Sequence, residues 1–268
     1  MGRVFTSYPV LQSGSLDSDL SAWVSAVVAN GGSVSGPRQT LVNNLIVGLK
    51  SDGVWTIGDR LWLTAGENQP SALTDLIARA LATAVNSPTF VADQSFASDG
   101  TTSYINTGYN PSTNGVHWTL NSASHAFWSF GALGNVDCGV QGAIESGPTN
   151  LSRLRTGTNY FYSANATSDG SVAGASASGL WTASRTASNL TTLYNNDVSQ
   201  DTNAVASSGV TNLTMYALVE NLNGVANFST NTPVPKCSAI WYGGGLSQAN
   251  MTLLYNRLRT YMTAIGVP

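Results

Sequence analysis

Charge is what this chain lacks most. Only 9% of its 268 residues are Asp, Glu, Lys or Arg, against roughly a quarter in an average globular protein. The net charge is −3, and the densest basic pairs are Arg153 with Arg155 and Arg257 with Arg259. Such spacing makes no phosphate-binding stripe, so no nucleic-acid partner is expected. No run reaches the roughly 18 to 20 apolar residues that a membrane-spanning helix needs, and no membrane insertion is expected. The start, Met1-Gly2-Arg3-Val4-Phe5, has neither the apolar core nor the cleavage site of a signal peptide, which predicts synthesis in a cytoplasm. Cysteine is scarce too: Cys138 and Cys237 are too few for a disulfide framework and too far apart for a zinc knuckle. They read as two buried thiols or as one bridge.

The groups that carry chemistry are equally thin. Glycoside hydrolysis needs two carboxylates flanking the scissile bond, yet Glu67, Glu145 and Glu220 stand alone, and Asp17 with Asp19 sits at a helix start, where the helix dipole accounts for them. His117 and His125 come without a Gly-x-Ser-x-Gly elbow, and no His/Cys/Asp cluster has metal-ligand spacing. The expectation is a protein without catalytic residues, metal or cofactor.

What is abundant is Ser, Thr, Asn, Gly and Ala, whose hydroxyls and amides suit tight turns, strand edges and hydrogen bonding to sugars or neighbouring subunits. Two helices are predicted near the start. Asp17 to Asn30 carries Leu20, Trp23, Val24, Val27 and Val28 at helical spacing before Asn30-Gly31-Gly32. A second begins near Ser35-Gly36-Pro37 and should bury Leu41, Val42, Leu45, Ile46 and Leu49 before Asp52-Gly53 ends it. From Thr191 to Tyr242 the pattern alternates, as in Leu213-Thr214-Met215-Tyr216-Ala217-Leu218-Val219, the mark of half-buried strands. After Gly243-Gly244-Gly245 the period becomes helical: Met251, Leu254, Tyr255, Leu258, Met262 and Ile265 share a stripe between a Ser247 cap and Gly266.

These C-terminal features, ending in Ser238-Ala239-Ile240-Trp241-Tyr242 and Leu253-Leu254-Tyr255, resemble the close of a concanavalin A-like, laminin-G-type jelly roll. Ser87-Pro88-Thr89-Phe90 with Ser98-Asp99-Gly100 through Gly108 is similar to its opening strand pair, and Leu49-Lys50-Ser51-Asp52-Gly53-Val54-Trp55 with Asp59-Arg60-Leu61-Trp62-Leu63 looks like a module placed ahead of such jelly rolls in bacteriophage and prophage virion proteins. The resemblance implies a mainly β chain: residues 1–55 a helical attachment segment, 56–268 a jelly-roll sandwich with a C-terminal helix. It implies a virion structural protein, on a tail fibre, spike or capsid surface, used for adhesion or decoration. Its partners would be other virion proteins through the N-terminal segment, further copies of itself, and a host surface glycan. Relatives of this kind sometimes hold calcium, for which Asp99 and Asp169 in turns are the candidates. A free carbohydrate-binding lectin module is the alternative, and a polysaccharide depolymerase the third reading.

Within such a sandwich, the residues able to meet a sugar are aromatics, because flat rings pack on the C–H faces of sugar rings. Trp118, Trp128, Tyr160, Tyr162 and Trp181 are the candidates, and burial in the core competes with ligand contact for each. Strand alternation puts Tyr160 and Tyr162 on one face and Phe161 on the other. The expectation is that the tyrosines face out, and that binding is nearly insensitive to salt.

Overall fold

A computed structural model describes residues 16–130, 138–144, 151–156, 159–173, 178–228 and 236–268, without the side chains of 138–141, 144 and 151–156. Glu145 and the side chains of Cys138, Arg153 and Arg155 lie outside the described residues.

The three long helices form where the capping residues placed them. Helix α1 is Ser18–Ala29 and α2 is Gly36–Ser51. Asp17 accepts the Asp19 N–H at 2.8 Å, and Ser35 accepts that of Arg38 at 3.3 Å, each satisfying a donor the first turn would leave unpaired. Lys50, in the last turn of α2, reaches Asp17 at 2.6 Å and Asp19 at 2.7 Å, so one bridge answers both helix dipoles. The C-terminal helix is Gln248–Ala264, capped by Ser247 and closed by Gly266 at φ 83°.

Eight described strands form the first sheet. Its order is Val198–Asn203, Leu190–Asn195, Gly179–Ala187, Ala123–Phe130, Lys236–Gly243, Ser95–Ala97 and Thr89–Val91, with Gly58–Trp62 also paired to Lys236–Gly243. The second sheet runs Gly170–Ala173, Asn159–Ala166, Leu151–Thr156, Cys138–Ile144, Tyr216–Ala217, Tyr104–Asn106 and Thr83–Val85. The hairpin Glu220–Leu222 and Val225–Asn227 joins it through a parallel pairing with Cys138–Ile144. Sequence-distant strands lie side by side in both sheets, as in a two-sheet sandwich of the jelly-roll kind.

The first sheet is buried on both faces. Phe127, Trp181, Leu193 and Tyr242 point into a core shared with the second sheet. Their neighbours Trp128, Leu180, Tyr194 and Trp241 point the other way, into a core shared with Leu20, Trp23, Val27, Val42, Leu45, Ile46 and Leu49 of α1 and α2 and with Met251, Leu254, Leu258 and Met262 of the C-terminal helix. The boundary at residue 55 therefore does not coincide with a gap in the packing. Each fully buried Leu, Ile or Val in this layer contributes about 1.5–3 kcal/mol. Val28 departs from the expected stripe: it lies on the outer face of α1, 58% exposed.

Candidate functional site

All five candidate aromatics are buried. Tyr160, Tyr162 and Trp128 are fully buried, Trp118 is 3% exposed and Trp181 5%. Alternation along Asn159–Ala166 is as expected, but its direction is reversed. Tyr160, Tyr162 and Ala164 fill the inter-sheet core, and Phe161 is the half-buried residue on the outer side. The reason is space. Tyr160 stacks on Trp181 with ring centres 3.7 Å apart, and Gly170, directly opposite Tyr162, leaves room that an added Cβ would take, since it would lie 2.4 Å from Tyr162 Cζ. Burial pushes both tyrosine hydroxyls well above the ordinary phenol range. The Tyr162 hydroxyl donates to Asp201 at 3.0 Å, and the Trp118 indole N–H to the Asn165 side chain at 3.0 Å. These rings are structural, and no ring face among them is open to a sugar.

The buried acids are occupied as well. Asp59 accepts the N–H groups of Val116 at 3.2 Å, His117 at 2.8 Å and Trp118 at 3.1 Å, plus the Tyr109 hydroxyl at 2.8 Å. Asp75 accepts from Leu61, Ile77 and Ala78. Asp99, named above as a calcium candidate, accepts the N–H groups of Thr101, Thr102 and Ser103 and the Thr102 hydroxyl, and these bonds hold its carboxyl well below the usual range. A carboxylate whose one oxygen takes three N–H donors holds a loop in place. Cys237 is a free, buried thiol pushed up to about 12 by burial, far from the reactive range.

A concave, polar-rimmed site lies elsewhere, where the C-terminal helix meets the end of the first sheet. Ser178, Gly179, Asn195, Asn196, Tyr255, Arg259 and Pro268 line an open cleft. Tyr255 and Arg259 are four residues apart and so share one helix face. Both rest on Trp128, the Tyr255 ring stacked at 5.9 Å between centres and the Arg259 guanidinium 5.1 Å from the indole centre. The Trp128 N–H donates to the Pro268 carbonyl at 3.3 Å, which draws the chain end to the same place. Tyr255 is only half buried, so part of the residue that rests on Trp128 stays open to solvent.

The hairpin turn at Asn195-Asn196 lines the same cleft. Asn196, at φ 60°, donates its N–H to the Leu180 carbonyl at 2.7 Å and accepts the Leu180 N–H on its side chain at 3.0 Å. Gly179, at φ 108°, is required beside it, because a Cβ there would sit 2.3 Å from Asn196 Oδ1. The Asn195 amide donates to the Ser178 carbonyl at 3.3 Å. Rigid amides that line one cleft with a half-exposed aromatic residue are the elements of a sugar-binding surface. A second crevice, between α2 and the C-terminal helix, is lined by Leu41, Asn44, Leu45, Arg257, Thr260 and Tyr261. Its cation is already spent: Arg257 meets Asp52 at 2.7 and 3.0 Å.

Tyr255 was in view in the sequence only as part of a core stripe, and Asn195-Asn196 only as a turn. Tyr255 with Arg259 one turn later on one helical face is the signal that would have marked the site.

No family model matches the chain, and neither does any curated protein. Among solved structures it is similar to Trypanosoma rangeli sialidase, with 11% identity and a TM-score of 0.47 over 84% of this chain and 40% of that one. It is similar to the botulinum neurotoxin serotype D binding domain, with 12% identity and a TM-score of 0.48 over 75% of this chain and 52% of that one. A point mutant of HCR/D gives 12% identity and a TM-score of 0.50 over 75% of this chain and 52% of that one. The chain thus spans about half the length of these structures or less. At this identity the last likeness bears on the fold alone: a two-sheet sandwich with flanking helices.

Proposed function

We propose that this chain is a non-catalytic, glycan-recognising sandwich of the concanavalin A-like kind, carried on a phage-type virion. The observation that carries the recognition role is the cleft that the half-buried Tyr255, stacked on Trp128, lines together with Asn195 and Asn196. Stacking on the ring orients a sugar, and the amides bond its hydroxyls. The virion setting rests on the resemblance of Leu49–Trp55 and Asp59–Leu63 alone. In that setting the outward faces of α1 and α2, where Val28 and Val47 are exposed, are left for another virion protein or a further copy of the chain.

Electrophoresis of the purified protein through gels containing capsular polysaccharide or lipopolysaccharide tests the recognition role. Retarded migration that Tyr255→Ala abolishes is the expected result; unchanged migration in every polysaccharide contradicts it. New reducing or unsaturated ends after incubation with the same polymers would replace the non-catalytic reading with that of a depolymerase.

A further inference from the structure

Arg259 is the part of the cleft that a neutral sugar leaves without a role. The other arginines whose side chains are described are matched. Arg38 pairs with Asp93, Arg60 with Asp75, Arg79 with Asp19 and Arg257 with Asp52. Arg185, fully buried, spends its guanidinium on the carbonyls of Ala164, Ala187, Ser188 and Val205. Arg259 forms no ion pair among the described residues. Its Nε donates to Thr263 Oγ1 at 3.0 Å and its Nη2 to the Val267 carbonyl at 2.7 Å, and its plane lies over Trp128. The group is held in place with Nη1 unbonded among the described residues, at the edge of a cleft that also contains Asn196, whose Nδ2 is likewise unbonded.

On the reading that this cleft takes a glycan, we infer that the glycan is acidic: a sugar whose ring lies against Tyr255 and whose carboxylate is received by Arg259 and the Asn196 amide. The planar, weakly hydrated guanidinium suits a planar carboxylate. Anchoring on two sides costs it little further entropy on binding. A single cation in the cleft matches one acidic group per site, and the net charge of −3 works against a densely charged polyanion. This revises the expectation of salt-insensitive binding.

Calorimetric titration with methyl galacturonoside, a single sugar with one carboxylate, and with its methyl ester, at about 50 and 500 mM salt, tests the inference. The acid should bind at least tenfold more tightly than the ester and weaken with salt, while the ester should not respond to salt. Arg259→Gln should erase the preference, leaving both forms bound like the ester, and Arg259→Lys should keep part of it. The melting transition of each variant establishes that it is folded, and the lysine variant decides if the glutamine variant is not. An ester that binds as tightly as the acid, or a preference that survives Arg259→Gln, overturns the acidic inference and leaves the glycan reading standing. Failure of both forms to bind overturns the acidic inference too, and polysaccharide gels then decide the glycan reading separately. Tyr255→Ala should weaken acid and ester alike, and indifference of both to that change refutes the glycan reading of the cleft itself.

Discussion

Between the two sheets the core is aromatic with polar tips. Beneath the helices it is mainly aliphatic. The first holds Tyr109, Trp118, Tyr160, Tyr162, Trp181 and Tyr242, with Asp59, Asn165 and Asp201 receiving three of their donors. The second holds Leu20, Val42, Ile46, Leu49, Leu254 and Leu258 around Trp128 and Trp241. Tyr109, Trp118 and Tyr162 can be buried because a side chain receives the donor at each tip. A cluster of Trp and Tyr among Asn, Thr and Asp thus has the composition of a sugar site and the location of a core. At the margin of the aliphatic layer, by contrast, a single tyrosine is left half open, and the cleft forms there.

The largest effect that separates the two interiors is removal of α1 and α2. Without residues 1–51 the layer around Trp128, Leu180 and Trp241 loses its cover, and a chain starting at Asp52 should be insoluble or unfolded by circular dichroism. A folded, soluble product would mean that the helices are an attachment segment added to a self-sufficient sandwich, as the sequence suggests. Next, Tyr160→Ala removes a ring stacked at 3.7 Å on Trp181 and should cost about 3–5 kcal/mol in urea unfolding. A cost below about 1 kcal/mol would break the assignment of this ring to the core. Leu254→Ala, beneath the helices, should cost about 2–5 kcal/mol, and comparison with Tyr160→Ala shows which interior tolerates a cavity better.

A pH titration sharpens the comparison at the sheet edge. Burial pushes the Asp75 carboxyl up to about 6, against the pull of its three N–H donors and Arg60. Because its folded value lies above the ordinary 3.8, its contribution to stability is full below about pH 4 and is lost as the pH rises through about 6, a fall on the order of 2–3 kcal/mol. Asp75→Asn should flatten stability between pH 4 and 7. An unchanged slope in that variant would mean that other groups set it.

The helices were the most legible part of the sequence. Asp17, Ser35 and Ser247 are the caps, and α1, α2 and the C-terminal helix start one residue after each, because capping and 3.6-residue periodicity are local. The strand Lys236–Gly243, covering Ser238 to Tyr242, was equally visible. The direction of a strand's faces was not. In the first sheet both faces are buried, so alternation of polarity fades, and along Asn159–Ala166 the choice depends on Gly170 in the next strand and on Trp181 in the other sheet. The site was hidden for the same reason: Asn195-Asn196, Gly179 and Tyr255 come together only through the sheet and the returning helix.

Tyr255→Ala beside Tyr162→Ala, each followed by affinity for the same glycan and by unfolding, tests the central claim most directly. Recognition at the cleft predicts that Tyr255→Ala loses about tenfold in affinity, or about 1.4 kcal/mol, for a stability cost of about 1–2 kcal/mol. Tyr162→Ala should lose several times that in stability, about 3–5 kcal/mol, while its folded fraction binds like the parent. Weakened binding by folded Tyr162→Ala together with unchanged binding by Tyr255→Ala would contradict the account.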